Sequence, residues 1–373
     1  MRIMIGIGHP KQVHFWRNII NNLGEDGHEV KIVAWKKDIT LYLLNVYGLT
    51  YEIIGRNYKG LIRKMYGLLE SDFKAFKVAR RFKPDILLAG SPALAHVSKL
   101  LRKPYIYFID TEHASIAYWL TYPFSDVICT PSCFKKKINS KNWIMFDGYQ
   151  ELAYLHPKYF KPDPSVLDDL GLSKGGLSKG DKFVIIRLIS WEATHDIRSR
   201  GFSKDFLEKA IKSLEEYGHV FITSEQKLDK NLEKYKIRIP PEKLHSALYY
   251  VSLYFGEGGT TSVEAALSGT PSVHVETFKT KSGEVVDATQ IHGNFDELVN
   301  KYGMLYTFAD PNHALNKALE MLQDKNAKKE MKKKREKLLR EKIDVTAFMT
   351  DFIENYPESF YMYQRIKKDF DYV

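Results

Sequence analysis

The run from Tyr254 to Pro271 reads Tyr-Phe-Gly-Glu-Gly-Gly-Thr-Thr-Ser-Val-Glu-Ala-Ala-Leu-Ser-Gly-Thr-Pro. An apolar strand ends, glycines permit a tight turn and close backbone approach, and a helix opens on three hydroxyl residues. Free N–H groups and the positive end of a helix dipole then converge on one spot, which suits a diphosphate without a metal ion. Gly256, Glu257, Gly258, Gly259, Thr260 and Thr261 are the candidate binding residues. Glu264, about one turn into the helix, is placed to accept hydrogen bonds from vicinal ribose hydroxyls, and Gly269-Thr270-Pro271 closes the helix. The plainer alternative makes Thr260 or Thr261 an N-cap and Glu264 a capping-box residue. The length of the whole run favours phosphate binding.

Three further loops concentrate polar chemistry. Gly6-Ile7-Gly8-His9-Pro10-Lys11-Gln12-Val13-His14 follows the first strand and offers Gly8 and two imidazoles, which titrate near neutrality and so suit proton transfer. His9 is the better candidate. His14 precedes Phe15 and Trp16 on the first helix and is equally suited to packing that helix on the sheet. Ile109-Asp110-Thr111-Glu112-His113-Ala114-Ser115 places three ionisable side chains in four residues at the end of a buried strand, making Asp110 and Glu112 catalytic candidates and His113 a binding candidate. In Arg187-Leu188-Ile189-Ser190-Trp191-Glu192-Ala193-Thr194-His195-Asp196, Arg187 and Ser190 could reach a diphosphate and His195 could serve as an acid or charge partner. His195 fits an ordinary exposed loop position nearly as well. The polar segment from Glu276 to Gly283 is not diagnostic.

The elements that must position these loops are legible as short β-branched runs alternating with helical patterns, which predicts parallel strands joined by crossover helices. Strands are expected at 2–7, 29–35, 51–54, 85–89, 105–109 and 126–130, with a long helix from Leu61 to Val78 before Pro84. Residues 156–181, rich in proline, glycine, serine and lysine, read as an interdomain linker. The rhythm then restarts with strands at 183–189, 219–222, 253–255 and 272–275 and helices at 203–217, 241–251 and 261–268. The expected fold class is therefore α/β. Two facing Rossmann-like domains, 1–155 and 182–345, each with a parallel sheet, would enclose an interdomain cleft. Residues 346–373 would return to the N-terminal domain as helices, through the apolar face of Val345, Phe348, Met349, Phe352 and Ile353.

A length of 373 residues suits two cores, and 44% hydrophobic with 27% charged residues is ordinary for a folded protein. No run of eighteen apolar residues and no cleavable apolar leader occurs, so a cytoplasmic location is expected. Cys129 and Cys133 lack further ligands at matching spacing, so free thiols are expected and no metal site. Of the net charge of +10, residues 325–342 carry +7, from ten Lys/Arg and three Glu. That stretch reads first as a solvated helix face and second as a salt-sensitive contact with an anionic membrane. It lacks interleaved aromatics for stacking on bases, so nucleic acid is not an expected partner.

The string Gly-Gly-Thr-Thr-Ser-x-Glu-Ala-Ala-x-x-Gly-Thr-Pro, Gly258 to Pro271, is similar to the nucleotide-sugar motif of the GT-B superfamily. That superfamily includes lipid-carrier N-acetylglucosaminyltransferases and UDP-N-acetylglucosamine 2-epimerases. More closely, the chain resembles an archaeal family of unknown function numbered 354. The resemblance rests on His9-Pro10-Lys11-Gln12-Val13-His14-Phe15-Trp16, Asp110-Thr111-Glu112-His113-Ala114, Gly148-Tyr149-Gln150-Glu151-Leu152-Ala153-Tyr154-Leu155 and Phe160-Lys161-Pro162-Asp163. It implies a nucleotide-diphosphate sugar as donor, no metal or other cofactor, and a glycan or lipid-linked acceptor. The loop of His9 would hold the general base, and Glu112 would occupy the place of a proton-transferring glutamate of the 2-epimerases. A metal-independent glycosyltransferase is the leading expectation. A 2-epimerase stands second, because the Arg-rich and Glu-Glu strings of that family are not reproduced, and a non-catalytic nucleotide or nucleic-acid binder stands third.

Overall fold

The computed structural model describes residues 1–58, 60–112, 115–172, 182–189, 202–225, 227–279 and 282–371. The chain divides into two compact units, Met1–Tyr159 with Ile343–Val373, and Phe160–Lys342.

Unit 1 contains seven strands: β1 Arg2–Ile7, β2 Glu29–Lys36, β3 Tyr51–Arg56, β4 Ile86–Ala89, β5 Tyr105–Phe108, β6 Val127–Pro131 and β7 Trp143–Phe146. All pair in parallel, in the order β3-β2-β1-β4-β5-β6-β7. Helices cover a parallel sheet on both faces, and accordingly Ile3, Met4, Ile5 and Ile7 of β1 are all fully buried. The strand order reverses between β1 and β4, which puts the loops after Ile7 and Ala89 at the crevice where such sheets bind ligands. β7 is absent from the sequence expectation, because its four residues Trp-Ile-Met-Phe carry no β-branched alternation beyond Ile144.

The Pro10–Glu25 helix starts on an N-cap, His9, with proline at its first turn, and buries Val13, Trp16, Ile19 and Leu23. The C-terminal Val345–Glu354 helix packs beside it, with Val345, Met349, Phe352 and Ile353 fully buried. The carbonyl of Ala153 accepts from both Asn18 Nδ2 and Thr346 Oγ1 at 2.8 Å, so three distant segments share one buried acceptor. The Val345–Glu354 helix thus completes the core of unit 1 rather than hanging from it.

Unit 2 has β8 Phe183–Leu188, β9 His219–Ser224, β10 Leu253–Gly256, β11 Ser272–Val275, β12 Phe278–Lys279, β13 Val285–Val286 and β14 Leu305–Phe308. A five-stranded parallel sheet runs β14-β11-β10-β8-β9, and β12 and β13 form a separate antiparallel pair. β14 and the small hairpin are further elements that hydropathy did not reveal. The order reverses between β8 and β10, where Arg187 and Gly256 are register partners.

Two sequence expectations need correction. The stretch 156–181 is not a spacer where it is described: Val166 and Leu172 are buried against Phe183, Ile185 and Leu248 of unit 2. Proline and glycine there shape a packed turn, and 173–181 lie outside the described residues. The basic Ala327–Glu341 helix is not simply a solvated face either. Lys328 Nζ donates to the carbonyls of Tyr249 and Val251, Lys334 Nζ to Gly303 O at 2.7 Å, and Arg335 Nε to Leu267 O at 2.6 Å. These are carbonyls at the ends of neighbouring helices, where a cation meets the negative end of the dipole. Among the described residues no helix is long and apolar enough to cross a membrane. Both cysteines are free thiols, Cys129 buried.

Replacing Phe352 with alanine should remove a fully buried ring packed against Phe348 and Tyr363 and cost about 3–5 kcal/mol. Urea unfolding followed by tryptophan fluorescence checks it, since Trp16, Trp35 and Trp143 all report on unit 1. An unshifted midpoint would show that the C-terminal helices do not support this core.

Candidate functional site

In unit 2 the Gly259–Leu267 helix begins directly after β10, at the point where the strand order reverses. Gly258 is its N-cap with φ 91°, and as a glycine it offers no side-chain acceptor to the first turn. Thr260 and Thr261 are therefore not N-caps; the helix starts earlier than expected, on Gly259. Glycine is required at 256 and 258: Gly256 has φ 138°, and a Cβ there would lie 2.4 Å from the carbonyl oxygen of Arg187. The carbonyls of the turn point inward. Tyr254 Oη donates to Glu257 O at 2.6 Å, and Ser262 N and Oγ donate to Gly258 O at 3.2 and 3.1 Å. With the acceptors satisfied inside, the first-turn N–H groups of Gly259, Thr260 and Thr261 form an uncapped positive helix end.

Arg187 runs alongside this end. A Cβ on Gly258 would stand 3.4 Å from its Cγ and 3.7 Å from its Nε, and that Nε is buried with no hydrogen-bond partner among the described residues. The rest of the guanidinium is braced by Glu225 at 2.6 Å and Thr223 Oγ1 at 3.3 Å. Glu257 has a different task from the one expected of it. Its buried carboxylate accepts from Ile189 N at 3.0 Å and Phe202 N at 2.8 Å, tying together the two ends of the segment that contains Ser190 and His195. Ser190 and His195 themselves lie outside the described residues, as does His113. Glu264 is buried and its Oε1 meets His245 Nε2 at 3.1 Å, so it is oriented by an imidazole and not by a capping box.

In unit 1 the loops after β1, β5 and β7 meet on one lysine. Lys11 Nζ forms ion pairs with Asp110 and, at 2.8 Å, with Glu151. The Lys11 and Asp110 side chains are each 15% exposed and that of Glu151 is 2% exposed. Burial opposes the Lys11 charge, but the two carboxylates outweigh it and hold the ammonium well above the ordinary lysine range. Burial pushes the Glu151 carboxyl up, Lys11 pulls it down, and Asp110 adds to the rise. Asp110 is thus a charge partner of Lys11, further contacted by Thr111 Oγ1 at 3.2 Å, and not an unengaged base. Lys11 and Glu151 were not singled out in the sequence. Each sits inside a string that carries the family resemblance, and β7, which places Glu151, was the strand that hydropathy missed.

The other unit 1 candidates divide. His9 is exposed and its Nδ1 accepts from Lys11 N at 3.2 Å, which leaves the imidazole at the rim as an N-cap. Gly8 is engaged internally, its N–H donating to Gln12 Oε1 at 2.8 Å. His14 is buried, with Nδ1 3.2 Å from Tyr47 Oη and its ring against Tyr154, so it packs the first helix against these two rings. Glu112 is buried and accepts from Lys135 N at 3.4 Å. Near it, the Tyr118 ring stacks on Tyr122 with centroids 4.7 Å apart, and the Lys136 ammonium lies 3.8 Å from the Tyr118 ring centroid. Among the described residues no group of three or more His, Cys, Asp or Glu is arranged to hold a metal ion.

Removing the cation tests the cluster. In Lys11→Met the carboxylates of Asp110 and Glu151 face each other unpaired, at a cost of about 3–5 kcal/mol near pH 8. The raised carboxyl makes the native state bind protons more readily than the unfolded chain, so the variant should regain stability as pH falls toward 5. Urea midpoints at both pH values check this, and a loss independent of pH would show that the carboxylates do not interact.

The fold of these two units is found elsewhere. The S. aureus MnaA–UDP complex superposes with a TM-score of 0.63 at 12% identity, covering 97% of this chain and 96% of that one. A spinosyn rhamnosyltransferase complexed with thymidine diphosphate gives 0.59 at 15% identity over 95% and 100%. The UDP-GlcNAc 2-epimerase of Neisseria meningitidis, bound to UDP-GlcNAc, gives 0.55 at 12% over 91% and 100%. The architecture is the two-domain GT-B fold. Among curated proteins, an uncharacterized protein of Methanocaldococcus jannaschii is 24% identical over 281 residues, 73% of this chain and 80% of that protein. A family model matches residues 1–358, and the chain belongs to the family described as Protein of unknown function (DUF354).

Proposed function

We propose that the protein is a glycosyltransferase that takes a nucleotide-diphosphate sugar as donor. The observation that carries this is the uncapped start of the Gly259–Leu267 helix at the sheet's switch point, with the Arg187 guanidinium beside Gly258. Amide donors, a helix dipole and one arginine are what a diphosphate leaving group requires as its charge grows. Solved relatives of the fold hold UDP or thymidine diphosphate, which supports the ligand class. In the proposed reaction an acceptor hydroxyl attacks the anomeric carbon, the bond from that carbon to the diphosphate oxygen breaks, and the hydroxyl proton passes to Glu112 or His9. Glu264, steadied by His245, would hold the ribose hydroxyls. The positive charge on the leaving-group side comes from the chain itself, so no metal is proposed.

A second reading has one observation in its favour. Unit 1 holds Glu151 and Asp110 against Lys11, with burial pushing the Glu151 carboxyl up, which is equipment for removing and returning a proton at C2 of a UDP-N-acetylhexosamine. Solvent deuterium separates the two. A transferase releases nucleoside diphosphate in proportion to glycosylated acceptor and leaves the sugar C2 unlabelled. Deuterium at C2 without acceptor would establish the epimerase instead. Saturating EDTA should leave the rate within about twofold, since the amides and arginine already meet the diphosphate charge; collapse on chelation with recovery on adding magnesium would refute the metal-free site.

Glu264→Gln keeps a hydrogen-bonding partner for His245 while removing the carboxylate charge. It should weaken binding of the matching nucleoside diphosphate by about tenfold, the effect of one charged hydrogen bond, with little change in melting temperature. Calorimetry across UDP, GDP and thymidine diphosphate measures this, and unaltered affinity would reduce Glu264 to a structural partner of His245.

A further inference from the structure

The segment that leads from β3 into the Leu61–Phe82 helix plays no part in either candidate site. Between Arg56 and Leu69 it has no acidic residue, while Arg56, Arg63 and Lys64 are interleaved with Tyr58, Ile62, Met65, Tyr66 and Leu69. Ile62, Arg63, Lys64, Met65 and Tyr66 are all exposed although they are consecutive in a helix. Five residues at 100° each pass the full circumference, so this end of the helix stands clear of the body. It rejoins the body at Gly67, where a Cβ would lie 2.4 Å from Cδ2 of Tyr58; only glycine lets that ring lie flat on the helix.

The exposed apolar residues are not scattered. Ile62 is 83% exposed, Met65 62%, Tyr66 62%, Leu69 68% and Phe73 59%. Spacings of three and four align them in one stripe. Isolated exposed apolar residues are commonplace, but a continuous stripe of five large ones marks a contact surface. Trp119 is also 82% exposed, and His96 links Asp72 of this helix to the carbonyl of Leu120 at 2.9 and 3.0 Å. At the end of the stripe a cavity of about 550 Å³ is lined by Arg56, Asn57, Tyr58, Arg63 and Tyr66. The Arg56 guanidinium lies 4.9 Å from the Tyr58 ring centroid, and Tyr58 and Tyr66 meet edge to face at 6.0 Å. The nearest acid, Glu70, is engaged by Tyr58 Oη and Lys74 Nζ, both at 2.6 Å.

We propose that this face docks the protein on an anionic phospholipid membrane, with the stripe at the acyl boundary and a lipid phosphate in the cavity between Arg56 and Arg63. Guanidinium groups match phosphate oxygens bidentately, and a basic rim around an exposed apolar helix is the composition that binds at a lipid interface. The basic Ala327–Glu341 helix fits that role less well. Lys328, Lys334 and Arg335 serve carbonyls within unit 2, its exposed cations are interleaved with Glu330, Glu336 and Glu341, and no exposed apolar stripe accompanies them. The proposal is independent of the reaction catalysed.

Co-sedimentation of the full chain with vesicles tests it, comparing phosphatidylcholine alone with phosphatidylcholine containing about one third phosphatidylglycerol. Binding is expected on the anionic vesicles only, and to fall at about 0.5 M salt. Met65→Asp with Leu69→Asp should abolish it. Arg56→Gln with Arg63→Gln should weaken it about tenfold or more, and Lys329→Gln, Lys333→Gln and Lys337→Gln together should leave it intact. All seven positions are exposed, so the fold is not at risk. No binding at low salt, equal binding to neutral vesicles, or loss through the Lys329, Lys333 and Lys337 changes alone would overturn the proposal. So would concentration-dependent self-association without lipid that Met65→Asp with Leu69→Asp removes, since the face would then belong to a second copy.

Discussion

The ion cluster of Lys11 with Asp110 and Glu151 is the constraint around which unit 1 is arranged. An ammonium taken largely out of water is tolerable only if carboxylates are held against it, and here they come from loops about one hundred and one hundred and forty residues away. The loops after β1, β5 and β7 therefore cannot shift independently. Around the cluster, Gly8 is tied to Gln12, His9 caps the first helix, and Ala153 receives both Asn18 and Thr346. The C-terminal helix, through Thr346, is thereby connected to the same edge of the sheet that carries the ionisable groups.

Unit 2 solves the opposite problem. Its candidate site has to present donors, and the acceptors of the turn are engaged: Tyr254 and Ser262 take the carbonyls of Glu257 and Gly258, and the Glu257 carboxylate takes the amides of Ile189 and Phe202. What is left at the start of the Gly259–Leu267 helix is a set of first-turn amides that the N-cap glycine, having no side chain, does not cap. One unit thus stores charge in a buried cluster, and the other pairs a helix dipole with Arg187, itself braced by Glu225.

Charge count and charge placement diverge in this protein. The stretch 325–342 dominates the net charge, yet several of its cations terminate neighbouring helices, and Lys342 pairs with Glu297 at 2.7 Å. Fewer cations around Arg56 and Arg63, with an apolar stripe beside them, make the more distinctive surface.

Local rules were enough for much of this. The alternation of apolar runs and helical patterns specified parallel strands and crossover helices, because strand and helix periods are properties of neighbouring residues. The glycines and hydroxyls of 256–262 specified a strand-to-helix turn with open amides for the same reason. Other features depended on which segments meet. Short β7 lacked a period long enough to register, so the placement of Glu151 beside Lys11 was invisible. His14, Gly8 and Glu257 looked available for a ligand until their partners Tyr47, Gln12 and the amides of Ile189 and Phe202 were known. A side chain's type sets what it can do, but burial and the partners brought by distant chain set what is left for it to do, and those are decided only by the tertiary fold.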